Sequence, residues 1–175
     1  YKYNRPRSFI SSGGLGTMGY GLPAAIGAKI GCPGETVVLI SGDGSIQMNI
    51  QELATASLYE VAVKIIILNN NFLGMVRQWQ ELFWNRRYSS TYLQGRRSEL
   101  LKYEGLKQPC VIPDFCRVAE AYCITSINIT SPSEVTKGLE KMLAEKGPVL
   151  VNIAIAPEEN VMPMVPPGKS MTDML

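Results

Sequence analysis

The length and charge of this sequence limit what the protein can do. Its 175 residues suffice for one domain with a buried core, and 17 basic against 15 acidic residues give a net charge of +2. Such a balance gives no electrostatic reason to expect a nucleic acid or a membrane surface as partner. The sequence contains no histidine, which excludes Ser-His-Asp triads and histidine-ligated zinc within this chain.

Short apolar runs alternate with longer helical patterns along the chain. The predicted strands are 36–41, 63–68, 124–129 and 149–155. They are continuously apolar rather than alternating, which is typical of parallel strands covered on both faces. The predicted helices are 19–30, 49–59, 72–84, 113–122 and 133–146. This order predicts an α/β fold, a doubly wound and mainly parallel sheet flanked by helices.

Two segments depart from this alternation. Residues 94–112 are polar and charged, and they are long for a loop in a compact domain. Residues 158–175 contain three prolines and a glycine, a composition that predicts an extended C-terminal arm rather than a helix. We therefore predict a domain at 1–157 followed by an arm at 158–175.

Few features of the sequence indicate a compartment. The four cysteines are Cys32, Cys110, Cys116 and Cys123. Their spacing matches neither zinc knuckles nor a secreted disulfide framework, so we predict reduced, mostly buried thiols in a reducing compartment. There is no signal-peptide pattern and no apolar run long enough to span a bilayer. Tyr1 in place of an initiator Met suggests a piece of a longer protein.

The strongest chemical signal follows two predicted strands. The first strand ends in SGDGS at 41–45, and the second is followed by Asn69 and Asn70. Asp43 and Asn70 would offer the hard oxygen ligands that Mg²⁺ accepts, with phosphate oxygens completing its octahedron. The glycines permit close approach of a diphosphate, and Ser45 can donate to phosphate. Either turn alone is ordinary, but the pair resembles the metal and diphosphate signature of thiamine-diphosphate enzymes.

A glycine-rich run at 13–25 precedes this pair. It is not a Walker sequence, and by itself it fits a tight turn and close helix packing. In its position before Gly-Asp-Gly, it resembles the segment that surrounds the thiazolium in thiamine-diphosphate enzymes. The resemblance implies that Met18 supports the cofactor in a bent shape, in which its aminopyrimidine amine reaches the thiazolium C2 proton.

One family is resembled more closely than the others. The relevant stretches are NNNFLGMVRQWQELF at 69–83, RYS at 87–89, QMNIQELAT at 47–55 and VMPMVP at 161–166. They are similar to acetolactate synthases (acetohydroxyacid synthases), and the resemblance covers nearly the whole chain. It identifies the chain as a C-terminal thiamine-diphosphate-binding domain of a catalytic subunit in this family.

The resemblance implies three sets of site residues. The metal ligands would be Asp43, Asn70 and the main-chain oxygen of Phe72. The residues around the cofactor would be Gly16, Met18, Gly42, Gly44, Ser45, Gly74 and Met75. The substrate channel, where herbicides bind in family members, would contain Val76, Trp79 and Phe83, with Trp79 favouring 2-ketobutyrate as second substrate. Without the flanking residues, Met75, Trp79 and Phe83 fit a helical face that packs into a core.

The resemblance also implies a reaction and partners. Pyruvate would be decarboxylated with thiamine diphosphate and Mg²⁺, and the hydroxyethyl group transferred to pyruvate or 2-ketobutyrate in branched-chain amino acid biosynthesis. The family carries its activating glutamate in an N-terminal domain and FAD in a middle domain. We therefore assign no catalytic residue here, neither Glu52 nor Glu60, and expect the chain alone to be almost inactive. A homodimer or tetramer with a regulatory subunit is implied, in the bacterial cytoplasm or a eukaryotic plastid or mitochondrion.

The sequence departs from the family pattern in two places. Relatives reach the equivalent of Pro113 in fewer residues, so we interpret 95–112 as an insertion. Cys123 stands where relatives usually have Gly, and a small buried thiol is the preferred explanation.

Two other functions remain open. One is another thiamine-diphosphate enzyme, such as a pyruvate oxidase or a glyoxylate carboligase, which product analysis would distinguish. The other is a non-catalytic module for cofactor binding or subunit docking. Against the second, a degenerate module should have lost at least one of Met18, Asp43 and Asn70, and all three are present.

Overall fold

The computed structural model describes residues 2–93 and 113–175, so the predicted insertion at 95–112 lies outside the described residues. The strands are β1 (Val38–Gly42), β2 (Lys64–Asn69), β3 (Thr125–Ile129) and β4 (Val149–Ala154). The α-helices are α1 (Gly21–Gly31), α2 (Asp43–Gln47), α3 (Leu53–Leu58), α4 (Gly74–Phe83), α5 (Phe115–Ala121) and α6 (Val135–Ala144). Short 3₁₀ turns lie at Ile50–Glu52, Pro132–Glu134 and Met171–Asp173.

The four strands form one parallel sheet in the order β1-β2-β4-β3. Successive residues of β2 enter two different cores. Ile65 and Ile67 pack with residues of α1, α3 and α5, whereas Ile66 packs with Met142 of α6 on the other face. Helices therefore cover both faces, which explains why the successive residues 65–68 of β2 are all apolar. The predicted fold class is confirmed.

The helices that follow β1 differ most from the helices predicted from the sequence. A short helix, α2, begins immediately at Asp43 with no intervening loop, and the predicted helix 49–59 is divided into a 3₁₀ turn and α3. After β4, the arm contains one 3₁₀ turn, and Met164 and Leu175 exchange two main-chain hydrogen bonds of 3.2 and 2.8 Å. The division into domain and arm at residue 157 stays a prediction.

None of the helices within 2–93 and 113–175 has the length and apolar character needed to cross a membrane.

The prediction of mostly buried thiols is wrong for two of the three described cysteines. Cys32 and Cys123 are exposed, and only Cys116 is partly covered. Burial raises the pKa of the Cys116 thiol. Cys123 ends the turn after α5, where its amide donates to Glu120 O and its φ is +58°. The turn directs this side chain outward. Its left-handed backbone also accounts for the glycine that the family pattern has at this position.

We expect Cys123→Gly to stabilise the chain by about 0.5–1 kcal/mol, because glycine adopts a positive φ without steric strain. The free energy of unfolding from urea denaturation measures the effect. Cys123→Ala is the matched control, since it removes the thiol but keeps the strained φ. Equal stability of the Gly and Ala variants would contradict the explanation by strain.

Lys64, the first residue of β2, is a buried charge with a structural role. It is 5% exposed, and its Nζ donates to the carbonyl oxygens of Glu145 and Gly147, just beyond the end of α6. Both carbonyls lie beyond the last residue of the helix, where no amide of the helix reaches them. Burial lowers the pKa of Lys64, although the neighbouring Glu145 acts in the opposite direction.

We expect Lys64→Met to lose about 1–3 kcal/mol at neutral pH, since two carbonyls lose their donor. Because the folded state gives up this proton first, the unfolded state holds more protons between the folded and unfolded pKa values. The stability of the wild type relative to Lys64→Met should therefore rise as pH increases through the folded pKa. Urea denaturation across alkaline pH tests this, and a pH-independent difference would contradict it.

Candidate functional site

A buried carboxylate joins the loops that follow β1 and β2. Asp43 is 2% exposed and begins α2 directly after β1. Its Oδ1 accepts a hydrogen bond from Gly44 N at 2.7 Å, and its Oδ2 accepts one from Asn71 N at 2.6 Å. Since β1 and β2 are adjacent and parallel, their carboxyl ends meet at one edge of the sheet, and Asp43 ties the two loops together there.

The electrostatics of Asp43 suit a bound cation. Burial raises the pKa of this carboxyl, and hydrogen bonds from main-chain amides, including those of Gly44, Asn71 and Asn70, lower it in part. Within the described ranges, no Lys or Arg forms an ion pair with it. A buried carboxylate that has amide donors but no cationic partner fits a divalent ion, which would offset the cost of burial.

The loop after β2 is held in a defined shape. Asn70 Oδ1 accepts a hydrogen bond from Phe72 N at 3.0 Å, and Asn71 between them has a φ of +60°. Phe72 also forms a β-bridge with Tyr92, and their rings lie 4.8 Å apart. The amide of Leu73 donates to Thr91 O at 2.8 Å. The predicted ligands Asn70 and Phe72 thus lie in one rigid turn beside Asp43.

A chain of asparagines supports this loop from the sheet. Asn69 Oδ1 accepts from Asn71 N at 3.2 Å, and Asn69 Nδ2 donates to Asn152 Oδ1 at 3.2 Å. Asn152 Nδ2 then donates to Asn128 Oδ1 at 2.8 Å. The chain crosses β2, β4 and β3. Sequence reasoning missed Asn128 and Asn152, for which the only signal was an amide within an otherwise apolar strand.

The glycine-rich segment is attached to the same edge through Gly19. Ser45 Oγ accepts from Gly19 N at 3.1 Å, and Asn49 Nδ2 donates to Gly19 O at 3.0 Å. Gly19 has a φ of +87°, and a Cβ there would lie 2.7 Å from Met48 Cβ. Only glycine fits. Because Ser45 accepts this bond, its hydroxyl hydrogen stays available for another acceptor.

These contacts place Met18 against Gly44. A Cβ on Gly44 would lie 3.3 Å from Met18 Cε and 2.7 Å from Leu73 Cδ2, so side chains from both loops fill this space. Around Gly42 and Gly16, by contrast, a Cβ would meet nothing within 4 Å. The main chain at these two glycines is open to a ligand. That arrangement fits a diphosphate lying close to the backbone.

The predicted channel residues lie on α4, whose start contacts the loop after β2. A Cβ on Gly74 would lie 3.1 Å from Asn70 Nδ2. The apolar face of α4 is 39–49% exposed and consists of Met75, Val76, Trp79 and Phe83. Trp79 and Phe83 are in edge-to-face contact, with ring centroids 6.1 Å apart. The alternative that this face packs into the core is wrong for this chain, because the face is open.

The structure therefore brings together most of the predicted site. Met18, Asp43, Ser45 and the loop at 69–73 meet at the carboxyl ends of β1 and β2. Among residues 2–93 and 113–175, no group of three or more His, Cys, Asp or Glu residues is placed to hold a metal. Glu52 accepts a local hydrogen bond from Thr55 Oγ1 at 2.9 Å.

Comparison with known proteins agrees with this geometry. The family model for the thiamine pyrophosphate enzyme, C-terminal TPP binding domain, matches residues 1–153. A solved structure of the Rhodococcus jostii RHA1 thiamine diphosphate-dependent 4-hydroxybenzoylformate decarboxylase aligns with a TM-score of 0.65 and 27% identity. The alignment covers 79% of this chain and 23% of that one.

Curated relatives are more similar in sequence. The chain is 45% identical over 172 residues to an acetolactate synthase of Arthrospira platensis, covering 98% of this chain and 27% of that protein. It is 46% identical over 173 residues to the large subunit of acetolactate synthase isozyme 2 of Escherichia coli (strain K12), covering 99% and 29%. It is 44% identical over 175 residues to acetolactate synthase 1, chloroplastic, of Oryza sativa subsp. japonica, covering 100% and 26%.

The chain thus spans little more than a quarter of the length of these relatives. Its matches extend over the glycine-rich segment, Asp43 and the loop after β2. The chain belongs to the family of C-terminal TPP-binding domains of thiamine pyrophosphate enzymes, and within that family it is similar to acetolactate synthases.

Proposed function

We propose that this chain is the cofactor-binding part of an acetolactate synthase, which decarboxylates pyruvate and transfers the hydroxyethyl group to pyruvate or 2-ketobutyrate in branched-chain amino acid biosynthesis. The observation that carries the proposal is the buried Asp43 carboxylate, which joins the two loops that hold the other predicted ligands. Its support from sequence is 44–46% identity to acetolactate synthases over nearly the whole chain.

The proposed metal ligands are Asp43, Asn70 and the main-chain oxygen of Phe72, which suit Mg²⁺ together with diphosphate oxygens. Gly16, Gly42 and Ser45 offer open main chain or a hydroxyl to the diphosphate, and Met18 supports the rest of the cofactor. Thiamine diphosphate, when bound, supplies the electron sink for decarboxylation. The chain's own residues hold and orient it, and the apolar face of α4 lines the substrate channel.

The rest of the proposal concerns the longer protein. The activating glutamate and most of the FAD site belong to other domains, so the chain alone has little activity. A homodimer or tetramer of catalytic subunits with a regulatory subunit is proposed. The location is the cytoplasm in a bacterium, or a plastid or mitochondrion in a eukaryote. A pyruvate oxidase or glyoxylate carboligase would use the same metal site. The similarity in sequence favours an acetolactate synthase over both.

The metal site is tested by calorimetric titration of the chain with thiamine diphosphate, with and without Mg²⁺. We expect binding that requires Mg²⁺ and is lost in Asp43→Ala, because that variant removes the one carboxylate among the three proposed ligands. Asp114→Ala is the control: Asp114 is an exposed N-cap of α5, so its loss costs about 1 kcal/mol of stability but no binding. A folded wild type that binds nothing would count against a preformed site.

Glycine substitutions separate packing from ligand contact. Gly44→Ala should lower the free energy of unfolding by about 1–3 kcal/mol, because its Cβ collides with Leu73 and approaches Met18. Gly42→Ala should leave stability unchanged but weaken cofactor binding, because its Cβ enters the space open to the ligand. Gly34→Ala, which also meets nothing within 4 Å, should change neither. Full affinity in Gly42→Ala would mean that the diphosphate does not lie over this glycine.

A further inference from the structure

The helix α4 has its polar and apolar sides reversed relative to an ordinary surface helix. Arg77 and Gln78 are 4% and 2% exposed, although helices usually present such residues to solvent. The apolar face of α4 is open instead. Something other than the hydrophobic core must therefore determine how this helix is oriented.

The arm buries Arg77 through charge-assisted hydrogen bonds. Arg77 Nη2 donates to Glu158 O at 3.2 Å and to Asn160 Oδ1 at 2.5 Å. Its Nη1 donates to Glu81 Oε2 at 2.6 Å, one helical turn further along α4. One guanidinium thus links α4 to two residues of the arm, and the fixed fork of Arg donors makes this link directional.

Gln78 makes a second link to the arm. Its Nε2 donates to Val161 O at 2.9 Å, and its Oε1 accepts from Val161 N at 2.7 Å. The amide thereby pairs with both main-chain groups of one residue, as a neighbouring strand would. Nε2 also lies 3.3 Å from Met164 Sδ. Together, Arg77 and Gln78 hold the arm from Glu158 to Met164.

The two links and the apolar face lie on opposite sides of the helix. At 100° per residue, Arg77, Gln78 and Glu81 cluster on one side of α4, and Val76, Trp79 and Phe83 on the other. Rotating α4 to release the arm would turn the apolar face away from its present direction. The position of the arm and the direction of the apolar face are therefore coupled by geometry.

One detail indicates that Arg77 is present for these contacts rather than for packing. Among the described residues, its Nε is a buried donor with no hydrogen-bond partner. An unsatisfied buried donor is costly. An aliphatic residue would fill the same space without that cost, but it could bind neither Glu158 nor Asn160.

We infer that Arg77 and Gln78 are positioning residues: they hold residues 158–164 of the arm against α4 and thereby fix the direction of its apolar face. The consequence for substrate rests on the proposed function, in which that face lines the channel for the second 2-oxo acid. The coupling itself is a property of this chain and is measured without any substrate.

The test uses the whole chain in a Trp84→Phe background, so that Trp79 is the only tryptophan. Gln78→Ala removes the link through Gln78, and Asn160→Leu removes the side-chain acceptor that the arm offers to Arg77. Release of the arm is measured as cleavage after Glu158 or Glu159 by a glutamate-specific protease, identified by product mass. The Glu158 carbonyl is the acceptor that Arg77 holds, so we expect cleavage about tenfold faster in both variants. Acrylamide quenching of Trp79 fluorescence measures the exposure of Trp79, which depends on the direction of the apolar face. We expect the quenching constant to change in both variants.

Two controls separate this role from general destabilisation. Gln80→Ala is matched in residue type and helix: Gln80 pairs in the same way with the main chain of Ser89 rather than with the arm. It should leave cleavage after Glu158 and Glu159 at the wild-type rate. Asn160→Asp keeps an acceptor for Arg77 and should retain both wild-type protection and wild-type quenching.

Two results would overturn the inference. One is wild-type cleavage in Gln78→Ala and Asn160→Leu, which would mean that these links do not hold the arm. The other is faster cleavage with unchanged Trp79 quenching, which would mean that the arm does not orient α4. Failure of the wild type to bind thiamine diphosphate and Mg²⁺ would instead count against the preformed cofactor site of the proposed function, and it would leave the protease and quenching results intact.

Discussion

The carboxylate of Asp43 is the interaction on which the rest of this site depends. It is buried at the point where two parallel strands end, and it accepts main-chain hydrogen bonds from the loop on either side. A buried anion is tolerated only when it is well paired. The loops must therefore keep their amides directed at it, and this requirement accounts for both the sharp entry into α2 and the positive φ of Asn71.

The support for this carboxylate extends outward through polar contacts rather than through the core. The asparagine chain from Asn69 to Asn128 connects the loop after β2 to the far strand of the sheet. Ser45 of α2 and Asn49, two residues after it, connect to the glycine-rich segment through the main chain of Gly19. Side-chain amides and hydroxyls make these connections because they reach main-chain groups that the sheet leaves unpaired. The apolar core stabilises the fold, and these polar contacts hold the loops around Asp43 in position.

The sequence predicted the fold, and it singled out residues that the structure brings together at one edge of the sheet. Strands covered on both faces are apolar at successive positions, so β2 and β4 were recognisable from their short apolar runs. Asp43 and Asn70 were singled out as candidate ligands because their turns fit a metal and a diphosphate. The burial of Arg77 and Gln78 was not predictable, since polar residues on an amphipathic helix normally face solvent, and their partners in the arm are about 80 residues away. The exposure of Cys123 depended on a turn conformation that the residue type does not favour.

The helix α4 connects the loop after β2, the arm and the apolar face. Its first residue lies against Asn70 of the loop after β2, its polar side is bound to the arm, and its apolar face is directed outward. A rigid helix transmits a change at any one of these contacts to the other two. The arm is remote in sequence from the loop after β2, yet the two are related through a single element ten residues long. If the apolar face contacts substrate, then substrate preference depends on residues that never contact it, because the direction of Trp79 is determined on the opposite side of its own helix.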